Sequence, residues 1–200
     1  KTRAARQIMA NLPYVKGVRI GIKLPDTVNI MIEEESVVYA IKSSDGQWWM
    51  MDSDGRVVEQ ANNAKAATAT QVLGVTLEAP TVNEKGVATE MTPSETNELG
   101  ELIPVTTTGA QRLTAALQIL KALENNDIVG EAASVDVTST EDIILWYGTR
   151  YQVNLGDTSR LDYKVDCMND AILQMSDYQS GVLDISFTIW PNQVGYTPFA

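Results

Sequence analysis

Three consecutive segments decide the fold: IILWYGTRYQVNL at 143–155, LDYKVDCMNDAILQM at 161–175 and LDISFTI at 183–189. The first alternates apolar and polar residues on both sides of a glycine-containing turn, which predicts a β-hairpin. The second carries apolar residues at helical spacing, which predicts an amphipathic helix that continues until Gly181. The third predicts a late strand. The apolar stripe of the predicted helix consists of Leu161, Val165, Met168, Ile172 and Met175.

Upstream of these segments the sequence predicts a second helix and more short strands. Residues 109–126 form another amphipathic pattern, and a threonine at 106–108 can cap its start. Residues 78–108 contain three prolines and little periodicity, so they predict a long irregular loop. The predicted strands lie at 37–41, 47–51, 57–58, 72–77 and 135–137.

The first 42 residues predict a separate small unit. A helix over 2–12 ends at Pro13, and strands over 15–24 and 28–32 flank a turn at Pro25-Asp26. Two strands are few for an independently stable sheet, and the chain opens at Lys1 without an initiator methionine. We therefore expect further elements upstream of this segment.

Composition excludes several classes of function. The 200 residues are 44% apolar and carry a net charge of −11, which predicts a folded acidic protein and disfavours nucleic acid as a partner. There is no histidine, so Ser-His and Cys-His catalytic pairs and imidazole metal sites are absent. The single cysteine, Cys167, cannot close a disulfide within the chain. We expect a protein without enzymatic activity, cofactor or metal.

Charge is unevenly distributed along the chain. Residues 1–25 hold six basic residues and no acidic residue, and the other nine basic residues stand against all 26 acidic ones. Such asymmetry is typical of two units with different surroundings. No run of 18 apolar residues predicts a membrane-spanning helix, and no signal peptide is visible.

Three motifs allow a chemical and a structural interpretation. Asp52-Ser53-Asp54-Gly55 is similar to the start of a calcium loop, but Ala61 stands where the glutamate ligand belongs, which favours a plain turn. Consecutive acids at 33–35 point to alternate sides of a strand and do not converge on one substrate atom. In Trp48-Trp49-Met50-Met51 the same alternation sends Trp48 and Met50 to one face and Trp49 and Met51 to the other.

The late strand at 183–189 lies where edge strands are common. An edge strand leaves main-chain groups free, so it can pair with a strand from a second polypeptide. Alternatively, the chain's own tail covers it. The pattern alone leaves both alternatives open.

The order of these signals resembles one bacterial family. Residues 8–15 (IMANLPYV), 18–20 (VRI) and 24–30 (LPDTVNI) resemble the second half of a POTRA domain, and MDSDGRV at 51–57 follows at the expected distance. Later come Leu155-Gly156, LDYK at 161–164 and LDI at 183–185. Together they are similar to the extracytoplasmic region of the FtsQ/DivIB cell-division family.

The resemblance implies an α+β fold with two units. Residues 1–42 would be the C-terminal part of a POTRA domain. Residues 43–200 would be a mixed β-sheet domain packed with two amphipathic helices, with the irregular loop at 78–108. It also implies a protein anchored in the cell membrane by one span, with this region outside the cytoplasm at the division septum.

The implied role is a scaffold of the divisome that binds FtsL-like and FtsB/DivIC-like proteins and helps to control the septal peptidoglycan synthase complex. In the family the partner adds a strand to the last strands of the β domain. Where the family often has Arg then Tyr, this chain has Ser186 and Phe187. The residues that match the partner-binding region are Asp184, Ile185, Ser186, Phe187, Thr188, Ile189, Val194, Gly195 and Tyr196.

Two other functions compete with this interpretation. A POTRA-containing secretion or outer-membrane assembly factor predicts tandem POTRA units or a downstream barrel. A carboxylate-based cell-wall hydrolase predicts an acidic cleft with a close carboxylate pair.

Overall fold

A computed structural model describes residues 2–34, 38–90, 107–189 and 191–199, and their strands form a two-stranded sheet and a nine-stranded sheet. This mixed architecture confirms the predicted α+β class. Within the described residues no helix is long and apolar enough to cross a membrane.

The N-terminal unit is a helix followed by a hairpin. Helix α1 spans Thr2–Asn11, and strands β1 (Val15–Lys23) and β2 (Thr27–Glu34) pair in antiparallel fashion. Cross-strand pairs such as Val18 with Ile32 and Ile20 with Ile30 place β-branched side chains opposite one another. Every residue of β2 is nevertheless exposed in the structure.

The large sheet has the order β11-β10-β9-β8-β7-β6-β3-β4-β5. Its pairs are antiparallel except β3–β6, β6–β7 and β9–β10. The strands span Tyr39–Ser43 (β3), Trp48–Met51 (β4), Val57–Ala61 (β5), Gln71–Leu77 (β6), Ala132–Asp136 (β7), Ile143–Tyr147 (β8), Tyr151–Gly156 (β9), Gly181–Asp184 (β10) and Gly195–Pro198 (β11).

Two helices provide crossover connections between parallel strands and share one hydrophobic core. Helix α3 (Gly109–Asn125) connects β6 to β7, and α4 (Leu161–Leu173) connects β9 to β10. Apolar side chains of both helices pack with one face of the sheet. The short helix α2 (Asn63–Ala66) covers part of the opposite face, where Ala66 packs with Ala40, Met50 and Val58. The two helices predicted from the apolar stripes are thus present.

Strand β4 confirms the predicted alternation of its side chains. Met51 is buried in the main core with Trp49 packed beside it, whereas Met50 is buried in the smaller cluster with Trp48 packed beside it. A strand between two apolar layers needs apolar residues on both faces. The run of four large apolar residues reflects burial on both sides of the sheet.

A bulge in β6 requires a glycine. The β3–β6 register shifts between Ile41 and Lys42, and Gly74 sits in the shifted stretch with φ +82°. A Cβ at Gly74 would lie 2.2 Å from the backbone nitrogen of Thr138. The bulge therefore depends on a residue without a side chain.

Several boundaries differ from those that the sequence predicts. The predicted unit boundary after residue 42 falls within β3, which spans Tyr39–Ser43 and pairs with β4 and β6 inside the large sheet. The second helix ends at Leu173, not at Gly181, which instead begins β10. Residues 59–71 contain the end of β5 and all of the short helix α2. The weak periodicity of this stretch did not predict either element. Of the predicted loop at 78–108, residues 91–106 lie outside the described residues, as does Val37 of the predicted strand at 37–41.

Polar contacts connect the N-terminal unit to the large sheet. The Tyr14 hydroxyl donates to Glu59 Oε1 at 2.6 Å, and Lys65 forms an ion pair with the same carboxylate. A second polar contact involves helix α1, where Asn83 Nδ2 donates to the carbonyl of Ala10 at 2.9 Å. The adjoining Val15 is only 4% exposed, so the start of β1 is part of the packed body.

Candidate partner-binding edge

Strand β11 forms one margin of the nine-stranded sheet, and we call it the C-terminal edge. It pairs antiparallel with β10, with Leu183 opposite Tyr196 and Asp184 opposite Gly195. Among the described residues no strand lies on its outer side. Four residues in extended conformation give this edge a length of about 13 Å.

The hydrogen bonds of β10 and β11 show which main-chain groups face outward. The N–H of Phe199 donates to the carbonyl of Ser180 at 3.1 Å. Hydrogen-bonded pairs alternate along an antiparallel ladder, so Thr197 and Gly195 also face β10. Tyr196 and Pro198 consequently turn their main-chain groups outward.

The hydrogen bonds between β10 and β9 indicate the same orientation of the main-chain groups. The N–H of Gly181 donates to the carbonyl of Arg150 at 3.0 Å, and the N–H of Ile185 donates to that of Asn154 at 2.9 Å. Odd-numbered residues of β10 therefore face β9, and even-numbered residues face β11. The outward direction of Tyr196 follows from both ladders.

Pro198 limits what the C-terminal edge can offer. Proline has no N–H, so at this outward position only its carbonyl can pair. Tyr196 has both a donor and an acceptor facing outward. A guest strand can therefore form a full pair of hydrogen bonds at Tyr196 but a single bond at Pro198.

Side-chain contacts hold the C-terminal edge in place. The Tyr196 hydroxyl donates to the carbonyl of Ser180 at 3.1 Å, and the rings of Phe199 and Trp146 stack with centroids 6.2 Å apart. Leu183, directly opposite Tyr196, is fully buried. The edge strand is thus short but anchored on both faces.

The segment between β10 and β11 is fixed by a cation–aromatic cluster. The Arg160 guanidinium lies 4.4 Å from the ring centroid of Tyr163 and 5.6 Å from that of Phe187, and it donates to Asn192 Oδ1 at 3.0 Å. Such contacts between a cation and aromatic faces stabilise surface structure modestly. Because Arg160 immediately precedes α4, the cluster ties the connection to the start of that helix.

The opposite margin of the sheet is covered at the start of β5. In β5, the N–H of Val57 donates to the carbonyl of Glu84, and the carbonyl of Val57 accepts from the N–H of Asn83, both at 2.8 Å. Tyr14 contacts Glu59 of the same strand. The outer side of β11 has no such main-chain contact among the residues that the structure describes.

Of the two alternatives for the strand at 183–189, the structure shows that the chain's own tail, strand β11, covers it. Strand β10 ends at Asp184 and lies between β9 and β11, so it is not the edge. Asp184 Oδ1 accepts from the N–H and the hydroxyl of Ser186, and Phe187 has φ +59°. This turn and the left-handed residue end the extended conformation.

The predicted site residues fall into two groups. Gly195 and Tyr196 lie in β11, and Val194 immediately precedes it. The other group, at 184–189, forms the end of β10 and the connection, in which Ile185 is buried and Thr188 and Ile189 are exposed. Sequence reasoning missed Thr197, Pro198 and the anchoring Phe199. A proline in an alternating segment next to the chain end is the signal that indicates an edge strand.

The competing motifs have structural roles. Asp52 Oδ1 accepts from the N–H groups of Asp54 and Arg56, and its Oδ2 pairs with Arg56 Nε at 3.0 Å, which supports the turn interpretation. A cleft of about 1030 Å³ includes Glu124 among its lining residues. The two oxygens of that carboxylate accept from the hydroxyls of Tyr39 and Ser53, each at 2.8 Å.

The geometry defines an α+β protein with an open sheet edge at β11, the feature through which proteins add a strand from a second chain. No protein-family model matches the chain. It is similar to the cell division protein DivIB of Clostridium tetani, with 25% identity over 183 residues, covering 90% of this chain and 61% of that protein. The DivIB of Clostridium acetobutylicum is 34% identical over 65 residues, covering 32% of this chain and 26% of that protein.

These similarities support the resemblance to the FtsQ/DivIB family that the motifs indicate. The relatives are named as cell division proteins and not as enzymes. The chain spans about three fifths of the length of the relative that it matches over most of its own length.

Proposed function

We propose that this chain acts in bacterial cell division as a scaffold without catalytic activity, and that its C-terminal edge accepts a strand from a partner protein. The observation that carries the proposal is the outward-facing main chain of β11 at an open margin of the nine-stranded sheet. The similarity to proteins named DivIB supports the cell-division role.

The partner in this proposal is an FtsB/DivIC-like protein, with an FtsL-like protein in the same complex. Main-chain pairing at Tyr196 provides the affinity, and the neighbouring residues at 184–189 border the guest. Through this complex the scaffold helps to control septal peptidoglycan synthesis. The proposal places the region outside the cytoplasm at the septum, with a single membrane span elsewhere in the full protein.

The direct test is hydrogen exchange with and without the partner. The chain is mixed with the extracytoplasmic part of the FtsB/DivIC-like protein from the same organism. We expect the amide of Tyr196 to become protected, whereas the amide of Thr197 is already protected because it faces β10. An unchanged exchange rate at Tyr196 in a saturated mixture would overturn the proposal.

A pair of substitutions tests the same bond by affinity. Tyr196→Pro removes the outward donor and should weaken binding at least about tenfold, mainly by faster dissociation. Tyr196→Phe keeps the main chain and loses only the hydroxyl contact with Ser180, so it is the control. Equal affinities for both variants would argue against strand addition.

A further inference from the structure

The C-terminal edge lies in a part of the chain that carries no free positive charge. Residues 165–200 contain four aspartates and no lysine or arginine. Exposed edge strands are commonly protected from pairing by lysine side chains. Here no such protection is present in the edge or in the segment that leads to it.

The basic residues just before this segment are already engaged. Lys164 is 1% exposed and pairs with Asp157 at 2.8 Å. Arg160 contacts the rings of Tyr163 and Phe187, and Arg150 donates to the carbonyl of Asp177 at 2.6 Å, so both keep their positive charge. These two charges do not balance the five aspartates at 162, 166, 170, 177 and 184.

Helix α4 adds negative charge beside the edge. Asp162, Asp166 and Asp170 recur at every fourth residue and are all exposed. The start of the helix contacts the connection that leads to β11, since the ring centroids of Tyr163 and Phe187 lie 5.6 Å apart and Arg160 donates to Asn192 Oδ1. Exposed charges attract an approaching chain of opposite charge over a screening length of about 8 Å at physiological salt.

We infer that the strand accepted by the C-terminal edge comes from a separate protein and is basic, with lysine or arginine flanking the residues that pair. This inference rests on the proposed function and adds the chemistry of the partner. Charge complementarity to the acidic edge favours such a guest. A second copy of this chain would bring the same negative charge and be repelled.

Charge and main-chain pairing affect different rate constants. Exposed charges at the rim of an interface mainly change the association rate and its salt dependence. Hydrogen bonds in the ladder mainly change the dissociation rate. The two parts of the proposal can therefore be measured separately in one binding experiment.

The test compares two triple variants in binding kinetics with the FtsB/DivIC-like partner at several salt concentrations. The first replaces Asp162, Asp166 and Asp170 by asparagine. The control removes the same charge far from the edge through Asp26→Asn, Glu33→Gln and Glu34→Gln. We expect the first variant to associate about tenfold more slowly at low salt with unchanged dissociation, and the control to change less than about twofold.

Each alternative outcome has a defined meaning. Faster association of the first variant would overturn the inference of a basic guest, and so would equal changes in both variants. In either case, protection of the Tyr196 amide would still uphold strand addition. Sedimentation of the chain alone, with dimers that become stronger when the aspartates are neutralised, would identify a second copy as the occupant and overturn the inference.

Discussion

At the residue scale, the ion pair with Asp157 compensates the buried positive charge of Lys164. The Lys164 ammonium is almost completely buried and donates to both the carboxylate and the main-chain carbonyl of Asp157, each at 2.8 Å. A buried charge without partners would be strongly unfavourable. Hydrogen bonds from Lys164 and then Ser159 lower the pKa of Asp157 from 3.8 to about 2.

This pKa predicts a pH dependence of stability. Because the pKa is lower in the folded state, Asp157 stabilises the fold above about pH 4, and this contribution is lost as the pH falls towards 2. The Asp157 side chain is 56% exposed, so solvent screens the pair and we expect about 1 kcal/mol rather than the full value of the shift.

Denaturant titrations between pH 2 and pH 6 would measure this contribution. In Asp157→Asn the free energy of unfolding should be about 1 kcal/mol lower than in the wild type at pH 6, and the two should converge near pH 2. Asp166→Asn, on the exposed face of α4, the helix that carries Lys164, is the control. A constant difference between the wild type and Asp157→Asn across this range would contradict the prediction.

Single residues also show where sequence reasoning succeeds and fails. The opposite directions of Met50 and Met51 follow from strand geometry alone, and the structure confirms them. The end of β10 does not follow from the sequence, because Ile185 and Phe187 continue the apolar alternation. The strand ends because the Ser186 hydroxyl donates a hydrogen bond to the Asp184 carboxylate and because Phe187 adopts the left-handed conformation.

At the element scale, helix α3 was predictable because several signals coincide. Its apolar stripe runs from Leu113 to Leu123, about three turns, and Thr108 with Gln111 forms a reciprocal cap at its start. Strands β10 and β11 have four residues each, too few for a periodic pattern to separate an inner strand from an edge. Their pairing depends on contacts that are distant in sequence.

The first residue of α3 provides a test in which propensity and packing disagree. Alanine is a better helix former than glycine by about 1 kcal/mol. At Gly109, however, a Cβ would lie 2.2 Å from the carbonyl oxygen of Thr89. The Thr89 backbone is itself held by a 2.8 Å hydrogen bond to Thr76.

We therefore expect Gly109→Ala to destabilise the protein by at least about 2 kcal/mol, the cost typical of overpacking. At Gly130 a Cβ would meet nothing within 4 Å. Gly130→Ala is the control and should change stability by less than about 0.5 kcal/mol. Chemical denaturation of both variants measures the difference, and a neutral Gly109→Ala would show that the loop at Thr89 can move away.

At the scale of the whole molecule, the main question is how the N-terminal unit is held on the large sheet. Glu59 receives hydrogen bonds from both Tyr14 and Lys65, and these outweigh the effect of burial to lower the pKa of its carboxyl. The sequence predicts the helix and hairpin of this unit but not its contacts. Tyr14, Glu59 and Asn83 are distant in sequence and belong to no shared motif.

The contacts predict that the two units move as one body and that removing the contacts separates them. Tyr14→Phe with Asn83→Ala eliminates the bonds to Glu59 and to the Ala10 carbonyl. We expect amides of β1 and β2 to acquire a shorter rotational correlation time in NMR relaxation, while the large sheet keeps its stability within about 1 kcal/mol. Thr68→Ala, which removes a local hydrogen bond to Lys65 on the exposed surface, is the control. Equal correlation times for both sheets in the double variant would show that apolar packing around Val15, not the polar contacts, holds the units together.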